Sequence, residues 1–235
     1  MSEPRLLSVR GEAVVEVDPE IARIGVTVAA MDSDRAKAMR LLNDRAASID
    51  NIVDAFREAI ETTGTTAVRV SPQFKSHKPN ERISGYVAVV HHTITVAEFS
   101  RLGELIAQLA DQSLTEVGGP WWALRPDSPV HRSARIQATH DAVRRARDYA
   151  QALGSDLTDL VELAGTGLFS DARGATDLAP MAAAAGLMRS RQAAPEEFTF
   201  DIAPAKQTVR ASVEARFTIN EPDLAGIDAR GQEGR

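Results

Sequence analysis

The sequence predicts an α+β fold in which a largely antiparallel sheet carries two long helices and one shorter helix. Apolar and polar residues alternate along segments near both ends of the chain, which is the two-residue period of strands. Two long central segments instead repeat their apolar residues every three or four positions, as amphipathic helices do. The predicted order is ββαββαβαββ. Because strands and helices are not strictly interleaved in it, this order favours the α+β class.

The first two predicted strands are residues 5–17 and 20–31. Each places its apolar side chains on one face, which suits a sheet with one buried side. The stretch Asp18-Pro19-Glu20 separates them. Proline presets the backbone angle of a turn, and an aspartate side chain bonds nearby backbone N–H groups. We therefore expect the two strands to pair as a β-hairpin.

Residues 33–62 are predicted to form one long helix. Its apolar stripe has alternating spacings of three and four and consists of Met39, Leu42, Ala46, Ile49, Val53, Phe56 and Ile60. Asp32, Ser33 or Asp34 is the expected N-cap, and Gly64 is the expected glycine at the C-terminal end. The stripe is expected to pack on the neighbouring sheet rather than to form a coiled coil.

The middle of the chain contains a pair of adjacent tryptophans on a predicted strand. The elements predicted here are strands at 66–76 and 84–97, a shorter helix at 98–111 and a strand at 114–125. Trp121 and Trp122 lie on the last of these, and adjacent strand residues face opposite ways. One tryptophan is therefore expected in the core and the other on a second surface. Together they are the candidate interaction residues.

The last third of the chain begins with a helix predicted at 128–153 and closed by Gly154. Small residues recur on it every four positions and permit close packing on a sheet: Ala134, Ala138, Ala142 and Ala146. Strands are predicted at 158–167 and 206–219, and we expect the last strand to return to the sheet that the first began.

A long irregular segment, 169–197, separates the last two strands, and loops of this length are commonly functional or mobile. Residues 1–220 are expected to form a single domain, with division into two subdomains as the alternative. Residues 221–235 are polar and are expected to be a disordered tail.

Composition excludes several classes of protein. The chain has 235 residues, a net charge of −6 and no cysteine, so disulfides, thiol catalysis and cysteine-ligated metal sites are excluded. The acidic balance predicts no general attraction to nucleic acid or to anionic membranes. No segment reaches the roughly 18–20 apolar residues of a membrane helix, and the N-terminus lacks the apolar run of a signal peptide. We expect a soluble, cytoplasmic protein.

No motif points to a catalytic, cofactor-binding or metal-ligating residue. His91 and His92 are adjacent on a predicted strand and face opposite sides, so they are poorly placed to chelate one metal. The stretch Gly165-Thr166-Gly167 lacks the third glycine and the lysine of a phosphate loop. One helix carries a run of arginines, interpreted as a solvated face, with binding to an acidic partner as the alternative: Arg132, Arg135, Arg144, Arg145 and Arg147.

Four stretches together resemble the SIMPL-domain family. The first reads V-R-G-E-A-V-V-E-V-D-P from residue 9, and the second is Gly85-Tyr86 at the start of a valine-rich strand. The third is the alanine-spaced helix that ends A-Q-A-L-G. The fourth is M-A-A-A-A, followed by I-A-P-A-K-Q-T-V and the final alternating strand. Each stretch is a weak signal alone, but their order and spacing over about residues 8–219 are specific.

The resemblance implies a protein without an agreed biochemical activity. Bacterial members are periplasmic immunogenic or oxidative-stress-related proteins, some look like ring-forming or channel-like oligomers, and animal relatives bind a signalling kinase. This chain departs from the pattern at Ala205 and Lys206, where the family often has glycine and glutamate. It also carries Arg147-Asp148 where a lysine-alanine pair is common.

The leading hypothesis is a non-enzymatic protein of this kind that self-associates and has a structural or interaction role, without a cofactor. A stress- or envelope-related role follows from the resemblance alone. Sheet edges tend to be covered or paired, which favours a homo-oligomer. One alternative is a small-molecule or metal-dependent enzyme with its site beneath the 169–197 loop. The other is a cytoplasmic adaptor that binds a partner protein through Trp121 or Trp122.

Overall fold

The computed structural model of the protein describes residues 4–75, 83–165 and 202–224. Its elements in chain order are β1 (Leu6–Val17), β2 (Ile21–Asp32), α1 (Arg35–Ala55), β3 (Ile60–Phe74), β4 (Ile83–Val96), α2 (Leu102–Ala110), β5 (Thr115–Ala123), α3 (Pro129–Ala152), β6 (Leu157–Gly165) and β7 (Gln207–Ile219). A single 3-10 turn, Phe99–Arg101, precedes α2. The predicted α+β class and the predicted element order are confirmed.

The described residues cluster into two compact units rather than around one sheet. The first unit contains the three-stranded sheet β1-β7-β6 and the helix α3. The last strand, β7, therefore does lie beside the first, as expected. The four alanines of the predicted α3 repeat are all buried. Three of them, Ala138, Ala142 and Ala146, pack in one core with the apolar face of this sheet. Gly154 ends the helix in the left-handed region, at φ +62°.

The second unit contains the four-stranded antiparallel sheet β3-β4-β2-β5. One face of β2 is completely buried and includes Ile24, Val26 and Val28. This face packs against the apolar sides of α1 and α2 in one continuous core. Burial of apolar side chains on one face of a sheet under two helices is the arrangement that the alternating pattern predicts. The expectation of a single domain over 1–220 stays a prediction.

The predicted hairpin between the first two strands is wrong. β1 pairs with β7, whereas β2 pairs with β4 and β5, so the two strands belong to different sheets. The intervening stretch joins the second sheet, since the Glu20 N–H donates to the carbonyl oxygen of Ala123, the last residue of β5. Asp18 and Pro19 thus mark the passage from one unit to the other instead of a tight turn.

The predicted end of the first helix is also wrong. Of the three candidate N-cap residues, Asp34 is the N-cap. Its side chain accepts a hydrogen bond from the Lys37 backbone N–H at 2.9 Å. The helix stops at Ala55, however, and Gly64 lies inside β3. The buried Phe56 and Ala59 lie in a turn. The threonine-rich stretch after Ile60 then extends, because β-branched residues favour strands over helices.

Two predictions fall on residues that the structure does not describe. The whole of the 169–197 loop lies outside the described ranges, as does the tail beyond residue 224. Within the described part of the chain, no helix is both long enough and apolar enough to cross a membrane.

Candidate functional site

The two adjacent tryptophans face opposite sides of β5, as the strand period requires. Trp122 lies opposite Ala22 and packs against the core of the second unit, where its ring meets Phe99 edge-on with centroids 4.8 Å apart. Trp121 lies on the other face of the sheet and is 54% exposed. Of the two residues proposed for an interaction surface, Trp121 is exposed and Trp122 is half-buried.

Trp121 rests on a floor made of two glycines. Gly25 of β2 and Gly118 of β5 are register partners. A Cβ atom at either position would lie only 3.3–3.4 Å from the indole ring. The absence of side chains there lets the ring lie against the backbone of the sheet, which protects the glycine positions from water. No other aromatic ring of the described residues stacks on the opposite side of the indole.

The four histidines that the structure describes do not form a common metal site. His91 lies on the open face of β4 and its Nδ1 is 2.9 Å from the hydroxyl oxygen of Thr27. His92 points to the core side, where it is buried and its Nδ1 is 3.3 Å from the hydroxyl oxygen of Thr65. His131 and His140 lie on α3, and His77 is outside the described residues. Among residues 4–75, 83–165 and 202–224, no three metal-ligating side chains come together.

The sheet of the first unit has one covered edge, which is β1. A Cβ atom on Gly11 would lie 2.5 Å from the backbone nitrogen of Ala142, so α3 crosses β1 at backbone contact. Asp141 of α3 is buried, and its Oδ2 accepts a hydrogen bond from the Glu12 backbone N–H at 2.9 Å. Arg145 Nε also donates to this oxygen, at 2.8 Å, which neutralises the carboxylate. The helix and its aspartate together satisfy a backbone donor of the strand.

The other edge of the same sheet, β6, is open among the described strands. It pairs only with β7, and α3 contacts it far less than it contacts β1. Its large apolar side chains remain exposed: Leu160 and Val161 at 53% and Leu163 at 46%. We call this segment, 160–163, the β6 edge. Sequence analysis missed it, although the adjacent apolar residues Leu160 and Val161 are a signal of a strand that is apolar on both faces.

The helix-free face of the first unit's sheet bears charges that are paired across the strands. Glu162 of β6 and Arg216 of β7 form an ion pair at 3.3 Å, and Arg10 of β1 lies 3.9 Å from Glu214 of β7. These residues line a shallow depression of about 440 Å³. Because each arginine already has a carboxylate neighbour, the depression presents no unbalanced charge to a ligand.

Two curated relatives are similar to the chain along most of its length. Both are 26 kDa periplasmic immunogenic proteins, from Brucella melitensis biotype 1 and from Brucella abortus strain S19. Each is 23% identical over 226 residues, which cover 93% of this chain and 86% of the relative.

One solved structure, an amidase of the hydantoinase/carbamoylase family from Burkholderia phymatum, is 18% identical over 52% of the chain. The match spans 31% of the amidase chain, and its TM-score of 0.26 is too low to indicate a shared fold.

The family comparison agrees with the resemblance of the four sequence stretches. A family model described as SIMPL, a protein of unknown function (DUF541), matches residues 7–217. This range runs from Leu7 of β1 to Phe217 of β7 and so includes residues of both units. The chain belongs to the SIMPL family.

Proposed function

We propose that this SIMPL-family protein has a structural or interaction role and that it self-associates by pairing the β6 edge of one copy with that of another. The observation that carries the proposal is the contrast between the two edges of one sheet. β1 is covered by α3 and its Glu12 N–H is bonded to Asp141. β6 is left with unpaired backbone among the described strands and with exposed leucine and valine side chains. An exposed apolar edge strand is a template for pairing with another chain.

A second copy suits the β6 edge for reasons of charge as well as of shape. The β6 edge contains one carboxylate, Glu162. In a two-fold pairing of two copies, Glu162 of one copy would lie near residues 160–163 of the other. Arg216 of the same chain already neutralises it at 3.3 Å. Two β6 strands can therefore approach at Glu162 without placing unpaired like charges together there. Burial of the exposed leucine and valine surface would contribute roughly 25 cal/mol per Å² of apolar area.

Multi-angle light scattering at micromolar concentration tests the proposal. The native chain is expected to have an oligomeric mass, and the double substitution Val161→Lys with Leu163→Lys is expected to reduce it to the monomer mass. The matched control is Val14→Lys, because Val14 is 60% exposed on β1 of the same sheet. A monomeric native chain, or equal dissociation by the control, would contradict the proposal.

A second candidate function is a contact with a partner protein through Trp121. Its support is the free face of a ring that is held on the Gly25 and Gly118 floor. Tryptophan is prominent among the residues that dominate binding energy at interfaces. The test compares Trp121→Ala with Met31→Ala, which removes another exposed apolar side chain of the same unit. Retention by Trp121→Ala of every partner that the native chain captures would contradict this candidate. The third hypothesis, an enzyme site beneath 169–197, concerns residues outside the described ranges.

The compartment is a separate question. The relatives are named as periplasmic proteins, whereas the sequence predicts a cytoplasmic one, and the cytoplasmic expectation stays a prediction. Neither compartment conflicts with the composition, since a chain without cysteine has no disulfide to form or lose. Fractionation of cells that express the protein from its native gene distinguishes the two locations.

A further inference from the structure

The indole of Trp121 is placed over its glycine floor by an irregularity in β5. Trp121 is the register partner of Arg23, whereas Gly118 is the partner of Gly25, so three steps along β5 span two along β2. Such a bulge re-aims the side chain beside it. A Cβ atom on Gly25, Gly118 or Gly119 would lie 3.2–3.4 Å from carbon atoms of the six-membered ring. The sheet backbone therefore covers one side of the indole.

The exposure of Trp121 belongs to the other side and the edges of its ring. The side chain is 54% exposed although the sheet covers one side of it. The helices α1 and α2 pack on the opposite face of the sheet, with Ile24 and Val26 in their core. The π-face of an aromatic ring carries partial negative charge. It therefore attracts a surface of C–H groups, whose hydrogens carry a small positive charge.

Polar side chains flank this ring on the same face of the sheet. Arg23 and Thr27 lie on either side of Gly25, each about 7 Å away along β2. Thr27 is the register partner of Glu116 on β5 and of His91 on β4. His91 Nδ1 lies 2.9 Å from the hydroxyl oxygen of Thr27. These groups include hydrogen-bond donors and acceptors, and the two charged ones, Arg23 and Glu116, have opposite signs.

A pyranose ring with equatorial hydroxyls has the complementary distribution of polarity. Its flat face presents axial C–H bonds, and its rim presents hydroxyls, each of which both donates and accepts hydrogen bonds. An apolar surface with a few well-placed polar groups is also the usual composition of a small-molecule site. Because Arg23 and Glu116 balance each other, the charges around the indole favour a neutral ligand over an ionic one.

We infer that Trp121 and the polar side chains beside it bind a neutral saccharide with equatorial hydroxyls. The sugar ring stacks on the exposed side of the indole. Arg23 hydrogen-bonds its hydroxyls at one end of the ring, and Thr27, His91 and Glu116 provide hydrogen-bonding groups at the other end. The inference is independent of self-association, because Trp121 belongs to the second unit and the β6 edge to the first.

A saccharide would occupy the same ring on which the second candidate function places a partner protein. The residues around the ring favour the saccharide. Tryptophans that dominate protein interfaces lie in closely packed surroundings that exclude water. Trp121 is instead bordered by glycines and by the polar Arg23 and Thr27, which give a protein few apolar contacts around the ring.

Isothermal titration calorimetry with cellotetraose tests the inference. The native chain is expected to bind it saturably and not to bind sorbitol, a polyol without a ring. Trp121→Ala is expected to weaken binding roughly tenfold or more, and Trp121→Tyr, which keeps an aromatic face, is expected to weaken it less. Arg23→Gln is expected to weaken it roughly threefold to tenfold. The matched control is Met31→Ala, which removes an exposed apolar side chain at the far end of β2. Unchanged thermal unfolding would show that each variant is folded.

Fluorescence provides a second measurement at the ring itself. The chain has two tryptophans, so Trp122→Phe leaves Trp121 as the single emitter. A saturable change of its emission with cellotetraose, at the Kd given by calorimetry, supports the inference. Absence of saturable binding, unchanged binding by Trp121→Ala, or equal weakening by Met31→Ala would overturn it. Capture of a partner protein through Trp121 in the presence of saturating cellotetraose would also overturn it, in favour of the second candidate function.

Discussion

Gly11 is the position at which the helix of the first unit comes closest to its sheet. The backbone of α3 at Ala138 and Ala142 occupies the space into which a side chain at residue 11 would project. Backbone cannot move aside as the end of a flexible side chain can. We therefore predict that Gly11→Ala destabilises the protein by about 1–3 kcal/mol, the usual cost of overpacking. The midpoint of urea denaturation, followed by circular dichroism, measures the effect.

The matched control for Gly11 is another strand glycine, Gly64, which has no atom within 4 Å of the place of an added Cβ. Gly64→Ala is expected to leave stability unchanged or to raise it slightly, because alanine reduces the conformational freedom of the unfolded chain. Equal losses at the two positions would indicate that close approach of α3 is not the reason for glycine at residue 11.

Individual residues were predictable where local periodicity decides their surroundings. The alternation of strand side chains predicts that Trp121 and Trp122 face opposite sides of their strand, and the structure places them on opposite faces. The same logic failed for Met39, which belongs to the stripe of α1 that was expected to pack on the sheet but is 45% exposed. Periodicity predicts which face of an element a side chain lies on. Whether that face is buried at a given residue depends on how far the neighbouring sheet extends.

At the scale of elements, Asp141 connects α3 to the edge of β1. Removal of its carboxylate would leave the Glu12 N–H without its acceptor, while the exposed Arg144 and Arg145 would return to water. We predict that Asp141→Ala lowers the free energy of unfolding by about 1–3 kcal/mol, as for other buried donors that lose a partner. Asp141→Asn keeps a side-chain oxygen and is expected to lose less. Chemical denaturation of both variants measures the difference.

Asp148 of the same helix provides the control for Asp141, since it is exposed and lacks a partner among the described residues. Asp148→Ala gives the same gain in helix propensity without the loss of an edge contact. A loss of stability at residue 148 equal to that at residue 141 would refute the role of Asp141 as a partner of β1.

Pairing of elements was less predictable than their existence. The order and type of every described element follow from the sequence, but the hairpin of β1 with β2 does not exist. A proline-containing connection between two alternating segments favours a turn locally. The actual partner of β1 is β7, nearly the whole chain away, and no local pattern contains that information. The prediction for Gly64 failed for a related reason. A glycine after an apolar stripe is typical of a helix end, but this one lies in β3, whose pairing with β4 is not visible in the local pattern.

At the scale of the whole molecule, the two units differ in whether their residues are contiguous in the sequence. The first unit is assembled from three separated segments, and its sheet needs strands from both ends of the chain. The second unit takes nearly all of its described residues from 18–125, which contain every strand of its sheet and both of its helices. Its core is likewise contained in that range, with Ile202 packed at the periphery. Contiguity of this kind favours independent folding, because few contacts depend on distant segments.

We therefore predict that the isolated fragment 18–125 folds by itself and unfolds in one cooperative thermal transition. A dispersed proton–nitrogen NMR spectrum and a sigmoidal melting curve are the expected observations. Leu105→Ala in the fragment should lower the midpoint, since Leu105 is fully buried in this core and such truncations cost about 2–5 kcal/mol. Leu41→Ala, at an exposed position of α1, is the control. A fragment without a cooperative transition would show instead that 1–220 behaves as one domain, because the second unit would then depend on the first for its stability.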